Sequence, residues 1–467
     1  MKKWVLAFTL VFTLGSFAQP PKFEKEIFQK RREVFMQRMQ KDAIAIFPAK
    51  PVYQRNLDIE YPYRQENNFY YLSGFEEPNA IMVINPSHPK YKFILFVEKR
   101  AERASFYVGN SAGIRGAMET FGADTAFYTD EFDREIYWII RGDRTIYYTF
   151  GINPEVDRKI EQLFIERRSM SNYPIIDPHP IVAEMRLIKN EDDWKAGLQR
   201  AIDISVAGMR EAIKAVKPGR YEYEVQAVLE YVYRKNGSLR DAYPPIIGSG
   251  PNSGVLHYSA NNRQMQDGEV VLLDCAAEYG YYSADITRTV PVNGKFSPEQ
   301  KQIYELVLRA QEAAIAAVRP GLVKVKLDSI IEDILGEGLL KLGFIKKKSH
   351  FPLFTLHKYS HWIGLDVHDV GGYTRDGKSI VLQPGMVFTI EPGIYVRPDV
   401  LQRMERWGYS DEEIEQIGKR IEKYLNIGVR IEDDILVTAD GHKNLTAGVP
   451  RKIRDIEKLM KKKGVGE

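Results

Sequence analysis

Four carboxylates stand in or beside apolar, strand-like runs: Asp274 after 270–273, Asp285 before 286–290, Glu391 after 387–390 and Glu432 after 427–431. Strand interiors disfavour acids, so their placement asks for a chemical reason. Reading 270–276 and 282–290 as a hairpin that turns at Tyr279-Gly280 sets Asp274 directly opposite Asp285. Like charges facing each other across a strand pair repel. A cation between them, or a shared proton, would reverse that sign. Of the eight histidines, His257, His357, His361 and His368 fall in the same half of the chain. Imidazole beside carboxylates suits a first-row divalent metal, whereas an acid pair sharing a proton needs no histidine. His357 and His361 are four residues apart, but Lys358 stands where the helical zinc-peptidase motif requires Glu. Four acids and one or two histidines could hold two divalent ions ~3.5–4 Å apart, with a bridging water made nucleophilic at neutral pH. Carboxylate-rich ligation favours harder ions, Mn²⁺ among them. A structural Mg²⁺ or Ca²⁺ site is the alternative.

An internal repeat is what would bring the four acids together. Gln266-Asp267-Gly268-Glu269-Val270-Val271-Leu272-Leu273-Asp274 reads against Gln383-Pro384-Gly385-Met386-Val387-Phe388-Thr389-Ile390-Glu391. Each run ends on an acid, and each is followed by a further strand bearing a second one, Asp285 or Glu432. Ala215-Val216-Lys217-Pro218-Gly219 is likewise echoed by Ala317-Val318-Arg319-Pro320-Gly321. Duplication is the economical reading. Each copy opens with helices. Asn190 and Asp193 form a capping box, and Trp194, Leu198, Ile202, Val206, Met209 and Ile213 recur at helical spacing until Pro218-Gly219. A second helix covers about 223–235. Ser297 caps another, with Pro298 at its first position, and one more follows Gly321. A further helical segment, 399–424, separates the two glutamate strands.

Residues 22–181 mix helix and strand patterns: an amphipathic helix at 24–39 and short strands at 43–47, 80–84 and 92–98. The polar-aromatic stretch 64–71 could line a site or edge a core. Asp177-Pro178-His179-Pro180 is helix-hostile and is expected to be a linker. The expected organisation is therefore a leader at 1–18, an N-terminal domain at 22–181, a catalytic domain at 186–450 and a basic tail at 451–467.

The 66 Lys+Arg and 63 Asp+Glu nearly balance, which argues against a nucleic-acid binder. The single Cys275 excludes an internal disulfide framework and any zinc cluster of cysteines. Lys2-Lys3, the apolar run 4–14 and Ser16-Phe17-Ala18 read as a signal peptide cleaved near Ala18, implying export to the periplasm or beyond. No later apolar run approaches the ~20 residues of a membrane span. The glycine-rich loop 248–254 lacks the Lys-Ser/Thr ending of a phosphate loop.

The quoted runs around Asp274, together with Ser283–Thr289, Ser360–Gly371, Thr389–Tyr395 and Val429–Asp434, resemble aminopeptidase P (Xaa-Pro aminopeptidase). The stretch from Arg64 to Phe75 resembles the N-terminal domain of that family. The resemblance implies an α/β chain: a mixed α/β N-terminal domain, then a duplicated pita-bread (α+β) catalytic domain. It implies five metal ligands, Asp274, Asp285, His361, Glu391 and Glu432, with Asp285 and Glu432 bridging two ions. It further implies that Glu391 handles the proton of the attacking water and that His368 stabilises the tetrahedral intermediate. His257 and His357 would surround a pocket for the substrate proline, while Arg430 and Tyr395 would hold a ligand aspartate. Peptides with proline second are the implied substrates, and a dimer or tetramer the implied assembly. Lys358-Tyr359 departs from the family, which usually has Gly and an apolar residue there. Prolidase, creatinase-like enzymes and non-catalytic pita-bread binding proteins are the other readings.

Overall fold

The structure is a computed structural model that describes residues 24–465 apart from 102, 104, 141–144 and 168–173. The expected leader lies outside these residues.

Helix α1 (Lys25–Arg38) and α2 (Asn67–Ser73) accompany a six-stranded sheet in the N-terminal domain. Its strands are β1 (Ala43–Pro48), β2 (Ile81–Ile84), β3 (Phe93–Val97), β4 (Thr125–Tyr128), β5 (Thr145–Tyr147) and β6 (Ile175–Ile176), in the spatial order β4-β3-β2-β1-β5-β6. Both faces of this sheet are covered. Along β1, Ala43, Ala45 and Phe47 enter one apolar cluster and Ile44 and Ile46 another, which is why the run is apolar throughout instead of alternating.

The expected linker is instead the start of a helix. Pro178 is the N-cap residue of α3 (His179–Leu187), with Pro180 in its first turn. Proline is tolerated there because the first-turn amides have no intrahelical acceptor to lose.

Asn190 Oδ1 accepts hydrogen bonds from the amides of Asp192 and Asp193, and the Asp193 carboxylate accepts one from the Asn190 amide, completing the expected capping box. After a π-turn at Trp194–Leu198 come α4 (Gln199–Ala215) and α5 (Glu222–Lys235). The second half repeats the pair with α6 (Pro298–Ala317), capped by Ser297, and α7 (Val325–Lys341).

In the first half β7 (Ile246–Ser249), β8 (Val270–Asp274), β9 (Ala277–Tyr279), β10 (Tyr282–Ser283) and β11 (Thr287–Pro291) follow the helices. In the second half come β12 (Val387–Ile390), β13 (Gly393–Val396), β14 (Ile427–Arg430) and β15 (Asp433–Val437). Strand β8 pairs antiparallel with β11, and β12 with β15. The expected register needs correction. The turn is Gly280-Tyr281, with φ of +56° and +71°, so Glu278 faces Ser283 and Asp274 faces Thr287, not Asp285. Both central residues of such a tight hairpin turn must be left-handed. Tyr281 is held there although it is not glycine, and Tyr70 of the N-terminal domain stacks on its ring, with centroids 3.7 Å apart.

Residues 399–424, the expected helical insertion, include α8 (Asp411–Ile421) with its own Ser410 capping box. The basic C-terminal stretch carries α9 (Ile453–Met460), which buries Ile456 and Leu459 against α4. Among the described residues no helix is long and apolar enough to cross a membrane.

Candidate metal centre

The duplicated strands deliver their acids at equivalent places. Asp274 closes β8 and Glu391 follows β12; Asp285 lies in the break between β10 and β11, and Glu432 in the break between β14 and β15. The halves are stitched at this level: the Glu432 amide donates to the Thr287 carbonyl at 3.1 Å, and Thr287 Oγ1 donates to Glu432 Oε2 at 2.6 Å. His361 enters from the segment beside β12, its amide donating to Thr389 Oγ1.

His361 Nε2 lies 3.3 Å from Asp285, 3.4 Å from Glu391 and 3.8 Å from Glu432. Its Nδ1 faces the Trp362 carbonyl at 3.1 Å. A carbonyl only accepts, so Nδ1 carries a proton, which leaves Nε2 as the atom that could ligate a cation. Asp285, His361 and Glu432 offer donor atoms that all lie within 4.8 Å of one another. Asp274 turns its two oxygens to Tyr243 and Arg430. Tyr243 hydroxyl is shared, 2.6 Å from Asp274 and 2.5 Å from Asp285. Sequence reasoning missed Tyr243, which sits before Pro244-Pro245 with no pattern to mark it.

Burial and the neighbouring Asp274 charge push the Asp285 carboxyl well above the usual range; burial, Asp285 and Glu391 do the same to Glu432. Burial opposes ionisation of Glu391 as well, but His357, His361 and Arg430 outweigh it and pull the group down to about 2. Among the described residues, Asp285 and Glu432 have no Lys or Arg ion-pair partner. A set of buried carboxylate oxygens and one imidazole nitrogen, short of positive charge, fits a divalent cation.

Asp434 was also missed as a site residue. Its Oδ2 accepts from the Asp285 amide at 3.1 Å, its Oδ1 has no partner, and burial raises it to about 8. The doublet Asp433-Asp434 inside a strand was the available signal.

Arg430 donates to Tyr395 hydroxyl at 2.9 Å, and Tyr395 lies 2.8 Å from His357 Nε2. The chain runs from Asp274 to the cavity wall through three side chains. His368 stacks obliquely on His361 with centroids 4.1 Å apart, and burial together with His361 lowers its pKa. His257, His357 and His368 line one cavity of ≈ 1100 Å³ with all four acids and His361. Every residue expected at the site is therefore brought to this cavity or, like Tyr395, stands directly behind it.

Residues 196–439 match Metallopeptidase family M24, and residues 28–153 match the N-terminal domain of aminopeptidase P. The chain belongs to metallopeptidase family M24. It is 37% identical over 451 residues to an Xaa-Pro aminopeptidase of Escherichia coli (strain K12), covering 93% of this chain and 98% of that one. Human Xaa-Pro aminopeptidase 3 is 32% identical, over 92% of this chain and 84% of its own. The structure of Pseudomonas aeruginosa aminopeptidase PepP superposes with a TM-score of 0.86 at 36% identity, covering 95% of this chain and 98% of that one. Zinc-substituted E. coli aminopeptidase P in complex with product gives 0.85 at 35%, covering 95% and 99%. The N-terminal α/β domain followed by the duplicated pita-bread domain is thus the fold of this M24 metallopeptidase.

Proposed function

We propose that the protein removes the N-terminal residue from peptides whose second residue is proline. The observation that carries this is the convergence of Asp274, Asp285, His361, Glu391 and Glu432 in one cavity with His257, His357 and His368. The likeness to Xaa-Pro aminopeptidases through both domains favours this substrate over the dipeptides of a prolidase.

Asp274, Asp285, His361, Glu391 and Glu432 would hold two divalent cations, Mn²⁺ in our reading. When bound, such ions supply an activated water and polarise the scissile carbonyl. Glu391, ionised at neutral pH, accepts the proton of the attacking water. His368, which lines the cavity, donates to the carbonyl oxygen as negative charge develops on it. His257 and His357 form the wall that meets the proline ring. Arg430, steadied by Tyr395, fixes Asp274. The leader at 1–18 directs the enzyme out of the cytoplasm, where it assembles as a dimer or tetramer.

The test is an assay on Mn²⁺-loaded protein with an Xaa-Pro dipeptide, an Xaa-Pro-Yaa tripeptide, a longer Xaa-Pro peptide and an Xaa-Ala control. Chelator-sensitive release of the first residue from the tripeptide and longer peptide, with the control spared, is expected. Cleavage of the dipeptide alone would make the protein a prolidase. No cleavage at all would return the binding-protein reading.

A further inference from the structure

The cavity holds a cation that the metal centre does not use. Lys324, just before α7, is 4% exposed, and its ammonium donates to Ser360 Oγ at 2.9 Å. Three rings surround it: Tyr373 at 5.0 Å, Trp362 at 5.5 Å and Phe388 at 5.7 Å from the nitrogen. Asp328 lies one helical turn along and lines the cavity with it, as do Glu391 and Lys358. Among the described residues none of these acids forms an ion pair with Lys324, and Ser360 is its only oxygen partner. An ammonium has three donors. Burying one with a single neutral acceptor is expensive, and ring faces offset only part of that. Leucine or methionine would fill the same aromatic box without the penalty.

Asp328 and Glu391 act on Lys324 as opposite charges from beyond ion-pair distance, which leaves donors of the ammonium to a group that enters the cavity. Ser360 precedes His361, so the ammonium stands beside the metal centre, while Asp328 and Glu332 follow at four-residue spacing along α7. Lys358 adds a second positive charge to the wall near Ser360. Peptides offer one strong partner for an ammonium, a carboxylate, and charge-assisted hydrogen bonds are about twice as strong as neutral ones.

We propose that Lys324 receives a carboxylate of the bound peptide, either an acidic side chain or the free C-terminus of a short substrate. The assignment builds on the peptidase reading and adds a preference to it.

Binding can be read without turnover, using peptides whose scissile carbonyl is replaced by methylene, on the metal-loaded full chain by calorimetry. One pair compares Glu-Pro-Ala amide with Gln-Pro-Ala amide; the other compares Gln-Pro-Ala free acid with its amide. In at least one pair the carboxylate member is expected to gain about tenfold in affinity over its neutral partner, and Lys324→Met to erase that ratio. A gain in the first pair identifies the side chain, and a gain in the second the C-terminus. Equal ratios in wild type and variant for both pairs would overturn the proposal. Should Lys324→Met not fold, Lys324→Gln drops the charge, keeps a donor to Ser360 and is read in the same way. Turnover of unmodified Gln-Pro-Ala amide, followed in parallel, judges the peptidase reading separately.

Discussion

At the scale of single residues, the metal centre is a place where the chain keeps groups that oppose its own folding. Asp285 and Glu432 are buried near two further acids, and burial and mutual repulsion raise both carboxyls. Glu432→Gln removes one of these charges yet keeps an oxygen to accept from Thr287. The metal-free variant is expected to be more stable than the metal-free wild type by on the order of 1–2 kcal/mol. Added Mn²⁺ should raise the melting temperature of the wild type and leave the variant nearly unmoved, because binding stabilises only the form that binds. Scanning calorimetry with and without chelator gives all four values. A variant less stable than wild type in chelator would mean that the acids are not in conflict.

At the scale of elements, the loop that carries His368 is held from outside. Arg186 of α3 pairs with Asp369 at 2.5 Å and Asp366 at 2.7 Å, Lys189 reaches Asp369 at 2.8 Å, and Asn68 of α2 binds the same guanidinium. Gly364 makes room, since a Cβ there would collide with the Asp369 carboxylate. Burial opposes ionisation of Asp369, but Lys189 and Arg186 prevail and hold it below the usual aspartate range. A depressed carboxyl stabilises the fold fully above its unfolded pKa and loses that contribution as pH falls through the folded value. Asp369→Asn is thus expected to cost about 3–5 kcal/mol near neutrality. In urea unfolding the gap to wild type should stay level from about pH 5 to 8 and narrow below about pH 4. A gap unchanged in acid would assign the loss to shape instead of charge. The repeat, the capping boxes and the acid-bearing strands were legible in the sequence because each depends on neighbours a few residues away. The Asp369 clamp was not, since its partners lie 180 or more residues distant. The Gly280-Tyr281 turn was misplaced by one residue because a left-handed tyrosine is uncommon, and the contacts of its ring come from another domain.

At the scale of the whole molecule, that tyrosine joins the N-terminal domain to the strands that position the metal centre. Its ring stacks on Tyr70, and Arg64 and Arg240 lie over it at 4.8 and 5.7 Å. Its hydroxyl accepts from the Gln65 amide at 3.3 Å, while Arg64 and Arg240 both bind Glu278 on the strand before the turn. The polar-aromatic stretch 64–71 is therefore an interdomain clasp as well as a core edge. One apolar cluster continues from Phe28 and Tyr70 into Leu198 and Tyr282, so the two domains share their interior and should melt in one transition. Two opposing terms meet at position 281. The side chain, 4% exposed, contributes ring burial worth about 2–3 kcal/mol and stacking worth about 0.5–1.5 kcal/mol, and its backbone pays about 1–2 kcal/mol for the left-handed conformation. Tyr281→Gly loses the first and relieves the second, whereas Tyr281→Ala loses the first and keeps the second. Stability should fall in the order wild type, Tyr281→Gly, Tyr281→Ala, with the two variants about 1 kcal/mol apart. Calorimetry on the three proteins measures both the order and the number of transitions. If Tyr281→Gly matched or exceeded the wild type, the clasp would contribute nothing to the fold. A second, lower transition confined to the variants would show that Tyr281 is what makes the two domains unfold together.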